Sequence, residues 1–448
     1  MDAPLALAAR VPGAVRVTAG TVADRERVMF RVDPSHHAGA LSEAAGRKIA
    51  AAAELALKVR RPLVGVVASS GADVFEGVAA LHGWGTAARA MAACSGIVPV
   101  ALAVTGPAVS GPALLLGLAD VVSMTADAFA YLSGPGAVAS WTGVDLTPRT
   151  LGGAAVHARM TGLCSFLADD EAGALEALDQ ALAYLPAHND EEPPDWAHDD
   201  DPDRPTPELR TLLPESANGS YDVRTLIAAI ADHGELCELR ARWAPNIVTA
   251  FATIDGRPVG VIANQPQAVA GTLDIEASQK GARFVALCDV FNLPIVTIVD
   301  TPGFFPGKDL EWRGMIRHGA QLAFAYAEAT VPRVCLITRK SYGGAFIVMD
   351  CKTMGNDVCF AWPSAEVAVM GAKGAIAVLH RRADADVQAR LEAEYAEEYL
   401  TPDVAAERGY VDEVIDPVET RSVIARALVQ LGRKRERLVG RPHPNGPL

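Results

Sequence analysis

"VPRVCLITRKSYGG", Val331 to Gly344, and "VPVALAVTGPAVSG", Val98 to Gly111, share one length and one plan: an apolar run that ends in small residues. The stretches around them repeat as well. "PLVGVVASSG", Pro62 to Gly71, parallels "PIVTIVDTPG", Pro294 to Gly303, and the segment Asp120 to Gly134 parallels Asp357 to Gly371. Three blocks in the same order in both halves indicate an internal duplication. Each block reads as a buried strand, a glycine-bearing turn and a helix, the alternation of an α/β fold with short crossovers.

The chain has 448 residues, which is long for one core and predicts two domains, 1–205 and 206–448. Between the repeats lies "PAHNDEEPPDWAHDDDPDRPTP", Pro186 to Pro207, whose Asp, Glu and Pro content reads as a solvated connector. Ala383 to Ile415 has helical periodicity and then a turn, and is expected to pack on the second domain.

Half of the residues are hydrophobic and 21% are charged, so both domains can bury sizeable cores. A net charge of -14 argues against nucleic acid or an anionic membrane as the main partner. The seven cysteines sit mostly in apolar runs without a CxxC pair, which fits buried thiols in a reducing compartment and no metal site. The opening "MDAPLALAARVPGAVRV" lacks the basic start of a secretory signal, so the expected location is the cytoplasm. Gly96 to Met124 is almost uncharged, yet Pro99, Pro107 and Pro112 favour a buried strand, turn and helix over a membrane span.

Side-chain machinery is scarce. GxSxG, HExxH, GxxxxGK[ST] and a strand-linked GxGxxG are all missing. His157, His318 and His380 lie in the patterned halves and read more readily as satisfied histidines than as bases. Chemistry by backbone amides needs no such base: where a strand meets a helix through small residues, N–H groups can face a developing oxyanion. The candidates are Ser110 and Gly111 in the first half and Gly344 and Ala345 in the second.

On these residues a family resemblance stands out. "GARFVALCDVFNLPIVTIVDTPGFFPG", "IRHGAQLAFAYAEATVPRVCLITRKSYGGAFIVM" and "AWPSAEVAVMGAKGA" resemble the carboxyltransferase (β) subunits of biotin-dependent acyl-CoA carboxylases. "LGGAAVHARMTG" and "GPAVSGPALL" carry the likeness into the first half. The resemblance implies two tandem crotonase-like domains of ββα spiral turns, a hexamer, and carboxyl transfer from carboxybiotin to the α-carbon of an acyl-CoA. It implies that the first-half hole polarises the thioester and the second-half hole holds the biotin ureido oxygen, across a dimer interface. Biotin, having lost the carboxyl group, would take the α-proton.

By the same resemblance Gly71, Ala72, Pro112 and Ile347 would border the acyl-CoA, and Gly343, Phe346 and Gly303 the biotin. The biotin carrier and biotin carboxylase (α) subunit are expected on separate chains, since no "AMKM" attachment site or ATP-grasp signature is present. Three departures stand out. "VSGP", Val109 to Pro112, replaces the family's "AGGA"; Asp73 in "SSGADVFEG" replaces an arginine near the CoA; and the family's N-terminal arm is expected to be missing. Two alternatives remain open: the transferase subunit of a malonyl- or methylmalonyl-CoA decarboxylase, and a non-catalytic scaffold paralogue.

Overall fold

The computed structural model describes residues 5–6, 14–22, 25–216, 219–440 and 443–448, so most of the opening segment, 1–17, lies outside the described residues. The chain forms two compact units, Met1–Pro193 with Arg240–Trp243, and Pro194–Leu239 with Ala244–Leu448.

In the first unit the strands are β1 (Leu5–Ala6), β2 (Val15–Val22), β3 (Arg25–Val32), β4 (Leu63–Ser69), β5 (Val100–Val109), β6 (Val121–Thr125), β7 (Phe129–Tyr131) and β8 (Phe166–Ala168). They form one sheet in the order β1-β2-β3-β4-β5-β6-β8, with β7 paired to the end of β5. The second unit repeats the pattern with β9 (Leu236–Glu238), β10 (Ile247–Ile254), β11 (Arg257–Asn264), β12 (Ile295–Thr301), β13 (Arg333–Tyr342), β14 (Val358–Ala361), β15 (Glu366–Ala368) and β16 (Glu413–Val414). Its order is β9-β10-β11-β12-β13-β14-β16, with β15 on β13. This is the duplicated crotonase-like α/β arrangement that the resemblance implies.

The central strands are parallel and covered on both faces, which is why they read as unbroken apolar runs. Every residue of β12, "IVTIVDT", is buried. Helices Glu43–Val59 and Ile275–Val290 cross between strands and start alike: Ser42 caps the Ala45 amide, and Asp274 caps the Ala277 amide. Each cap ends a matching hexapeptide, "HAGALS" (His37 to Ser42) and "VAGTLD" (Val269 to Asp274), a further piece of the repeat.

Gly96 to Met124 resolves into β5, a 3-10 helix Gly111–Leu118 and the start of β6. No helix among the described residues is long and apolar enough to cross a membrane. All seven cysteines are free and buried.

The connector departs from the solvated segment expected. Thr206 is fully buried, with its Oγ1 donating to the Pro417 or Val418 carbonyl at 3.0 Å, and Asp200 accepts from Arg204 at 2.8 Å and from the His233 amide at 2.9 Å. An acidic, proline-rich composition does not reveal that individual polar groups find buried partners far along the chain. Ala383 to Ile415 contains helices Ala385–Tyr395 and Pro402–Glu407 and then β16, which extends the sheet beside β14.

Candidate active site

The last residue of β4 and the last residue of β12 build the same turn. The Gly71 amide donates to Ser69 Oγ at 3.2 Å, and the Gly303 amide to Thr301 Oγ1 at 3.4 Å. Gly71 has φ +106° and Gly303 has φ +141°, a region that disfavours any residue with a Cβ. Leu41 N–H then donates to the Gly71 carbonyl (2.8 Å), and Asp73 N–H donates to the Leu41 carbonyl (3.0 Å). In the second unit Leu273 makes the same bridge, to Gly303 O (3.1 Å) and from Phe305 N–H (2.8 Å). A parallel bridge that uses the residues on either side of Ala72 and Phe304 turns those two amides away from it. Both amides therefore face out of the bridge at the strand end.

The ends of β5 and β13 supply the other wall. Ser110 (φ +63°) and Gly343 (φ +61°) occupy equivalent places in the repeat. Gly111 and Gly344 follow, at the start of the 3-10 helix Gly111–Leu118 and of the helix Gly343–Val348, where the first amides have no acceptor within the helix. The Ser110 amide is not among the available donors, because it donates to the Tyr131 carbonyl at 2.9 Å. Pro112, buried in the first turn, has no N–H to offer, whereas Ala345 at the equivalent place has one and buries its methyl completely. The first half thus presents Ala72 and Gly111; the second presents Phe304, Gly344 and Ala345.

The two walls touch within each unit. A Cβ on Gly71 would lie 3.1 Å from Ser110 Cβ, and one on Gly344 would lie 3.4 Å from the Phe304 ring. Beside Gly344 and Phe304 opens a cavity of about 430 Å³, walled by Met315, Ile316, Ile347 and Val348, with Glu311 as its acidic group. Ile347 is 39% exposed into this space, while half-buried Phe346 stands outside its wall. Behind the helix, Asp350 accepts from Arg333 at 2.6 Å, and burial pushes the Asp350 carboxyl up to about 7 against the pull of the guanidinium.

Two of the histidines in the patterned halves have partners: His157 Nε2 meets the Ala130 carbonyl at 2.9 Å, and His318 meets Gln279 and Arg317. Asp73, which replaces an arginine of the family pattern, accepts from the Phe75 amide at 3.0 Å and lies 3.4 Å from His37 Nδ1. Its carboxylate is a local cap. Phe304 is the site residue that sequence reasoning missed. The repeat that aligns Gly71 with Gly303 also aligns Ala72 with Phe304, so the signal was present, but the difference in side-chain size concealed it.

Residues 5–445 match the model of the carboxyl transferase domain. The chain is 41% identical to the methylmalonyl-CoA decarboxylase subunit alpha of Veillonella parvula, over 98% of this chain and 86% of that one. It is also 41% identical to the propionyl-CoA carboxylase beta chain of Roseobacter denitrificans, over 96% and 85%. Among solved structures it is similar to a chain of transcarboxylase 12S, a structure described as a hexamer assembly with methylmalonyl-coenzyme A and methylmalonic acid bound. The TM-score is 0.95 at 40% identity, covering 97% of this chain and 85% of that one.

Proposed function

The chain belongs to the carboxyl transferase domain family, and from that premise we propose that it moves a carboxyl group between biotin and the α-carbon of a short acyl-CoA. The observation that carries this reading is the duplicated amide wall: a leucine-bridged glycine turn beside a glycine-started helix, once in each unit.

In the first unit the Ala72 and Gly111 amides hold the thioester carbonyl oxygen, on which negative charge develops as the α-proton leaves. In the second unit Phe304, Gly344 and Ala345 hold the ureido oxygen, and the neighbouring cavity shapes the surroundings of that site. Carboxybiotin, delivered by a separate carrier chain, supplies both the carboxyl group and, once decarboxylated, the base. The residues of this chain then have three tasks: to hold oxygens, to align the reactants and to exclude water.

The assembly belongs to the same reading. Phe75 (92% exposed) and Val74 lie beside the first wall, and Trp141 (90% exposed) lies on the same unit; apolar surface of this kind is covered by a partner copy in a hexamer. Light scattering is expected to give about six times 47.0 kDa, and a stable monomer at micromolar concentration would contradict it.

The direct test is transfer from methylmalonyl-CoA or malonyl-CoA to free biotin by the purified chain. Formation of propionyl- or acetyl-CoA that depends on biotin is expected, and its absence in a folded hexamer would overturn the reading. The relation to a decarboxylase subunit favours a second physiological direction with the same half-reaction. Supplying a carboxylase partner with ATP separates the two, since net carboxylation appears only in the first.

A further inference from the structure

The two walls differ in how they place one aromatic ring. In the helix Val78–Cys94 the residues Ala80, Ala87, Met91 and Cys94 are buried; in Met315–Glu328 and just beyond it, Met315, Leu322, Tyr326 and Ala329 are buried at identical spacing. That register sets Trp84 opposite Gly319. In the second unit the Phe304 ring lies against Gly319 and Gly344, at 3.3 and 3.4 Å from where their Cβ atoms would be. In the first unit Ala72 stands in place of Phe304, and the ring comes instead from the helix: Trp84 lies against Gly111, its Cζ2 3.0 Å and its Nε1 3.3 Å from the Cβ position.

The exchange brings a polar atom that phenylalanine lacks. Trp84 Nε1 is buried and has no hydrogen-bond partner among the described residues. A buried indole N–H without an acceptor costs free energy and calls for a reason. It lies beside the wall that is short of donors, where Ser110 has given its amide to Tyr131 and Pro112 has none.

We propose that the Trp84 indole N–H is the third donor of the first-unit hole, given to the thioester oxygen of the acyl-CoA in place of the amide that proline removes. The inference rests on the acyl-CoA reading above. No bond forms or breaks at the indole; it stabilises the charge that appears on that oxygen when the α-proton leaves.

Trp84→Phe keeps the ring and deletes the N–H. With methylmalonyl-CoA and free biotin, kcat is expected to fall about a hundredfold, with the melting temperature unchanged and KM nearly so. A change confined to KM or to melting would mark the indole as packing only, and wild-type kcat in a folded Trp84→Phe hexamer would overturn the proposal. Should the variant not fold, a crystal structure of the wild type with propionyl-CoA decides: Nε1 within 3.5 Å of the thioester oxygen is expected, and a longer distance refutes it. Lack of transfer by the wild type itself would instead count against the acyl-CoA reading.

Discussion

The Ser110 amide donates to the Tyr131 carbonyl at 2.9 Å, and this bond holds Ser110 at φ +63°, ψ -158°, a region natural to glycine. Gly343 fills the same place in the second unit at φ +61°. Ser110→Gly should therefore relieve strain and leave the donors untouched. Stabilisation of about 1 kcal/mol is expected from urea unfolding, with unchanged transfer activity, because the relief of strain exceeds the added freedom of the unfolded chain. Ser110→Ala, which keeps a Cβ, should give no such gain.

Ala345 is completely buried and contributes its amide near the helix start, in the place where the first unit carries Pro112. Ala345→Pro deletes that donor in a position where proline suits the backbone. Transfer to free biotin should fall about a hundredfold at unchanged melting temperature. Wild-type transfer in the folded variant would leave Phe304 and Gly344 as the sufficient pair.

Ile347 faces the 430 Å³ cavity beside Gly344 and Phe304. A branched apolar side chain there is expected to let acetyl-CoA, or a chain longer than propionyl-CoA, react as well as propionyl-CoA or better. The measurement is kcat/KM for acetyl-, propionyl- and butyryl-CoA in the wild type and in Ile347→Asp. A shift in the ratios of about tenfold is expected, which corresponds to about 1.4 kcal/mol of discrimination; identical ratios would remove Ile347 from substrate choice.

Hydrogen bonds from Arg204, and then the His233 amide and the charge of Arg421, hold the Asp200 carboxyl down at about 2. A carboxyl whose folded pKa is depressed stabilises above its unfolded value, near 4, and loses that contribution as the pH falls through the folded value. The melting temperature of the wild type should exceed that of Asp200→Asn at pH 6, and the gap should close between about pH 4 and pH 2. A gap independent of pH would show that the carboxylate charge is not what fastens the connector.

The duplication, the buried parallel strands and the glycines at their ends are legible in the sequence because each leaves a local trace. Apolar runs mark strands covered on both faces, and Gly71, Gly303 and Gly343 stand where the backbone takes positive φ. The matching hexapeptides before the helices Glu43–Val59 and Ile275–Val290 are short and mixed in character, and periodicity alone passes over them. What no local trace records is which amides remain free. Ser110 loses its amide to Tyr131 and Ala72 keeps its own only because Leu41 pairs with the residues on either side, and both partners come from distant parts of the chain. Trp84 reaches Gly111 for the same reason, through the register of a helix against a sheet. A hydrogen bond consumes a donor wherever its acceptor comes from, so the count of donors left at the site follows from tertiary pairing and not from residue type.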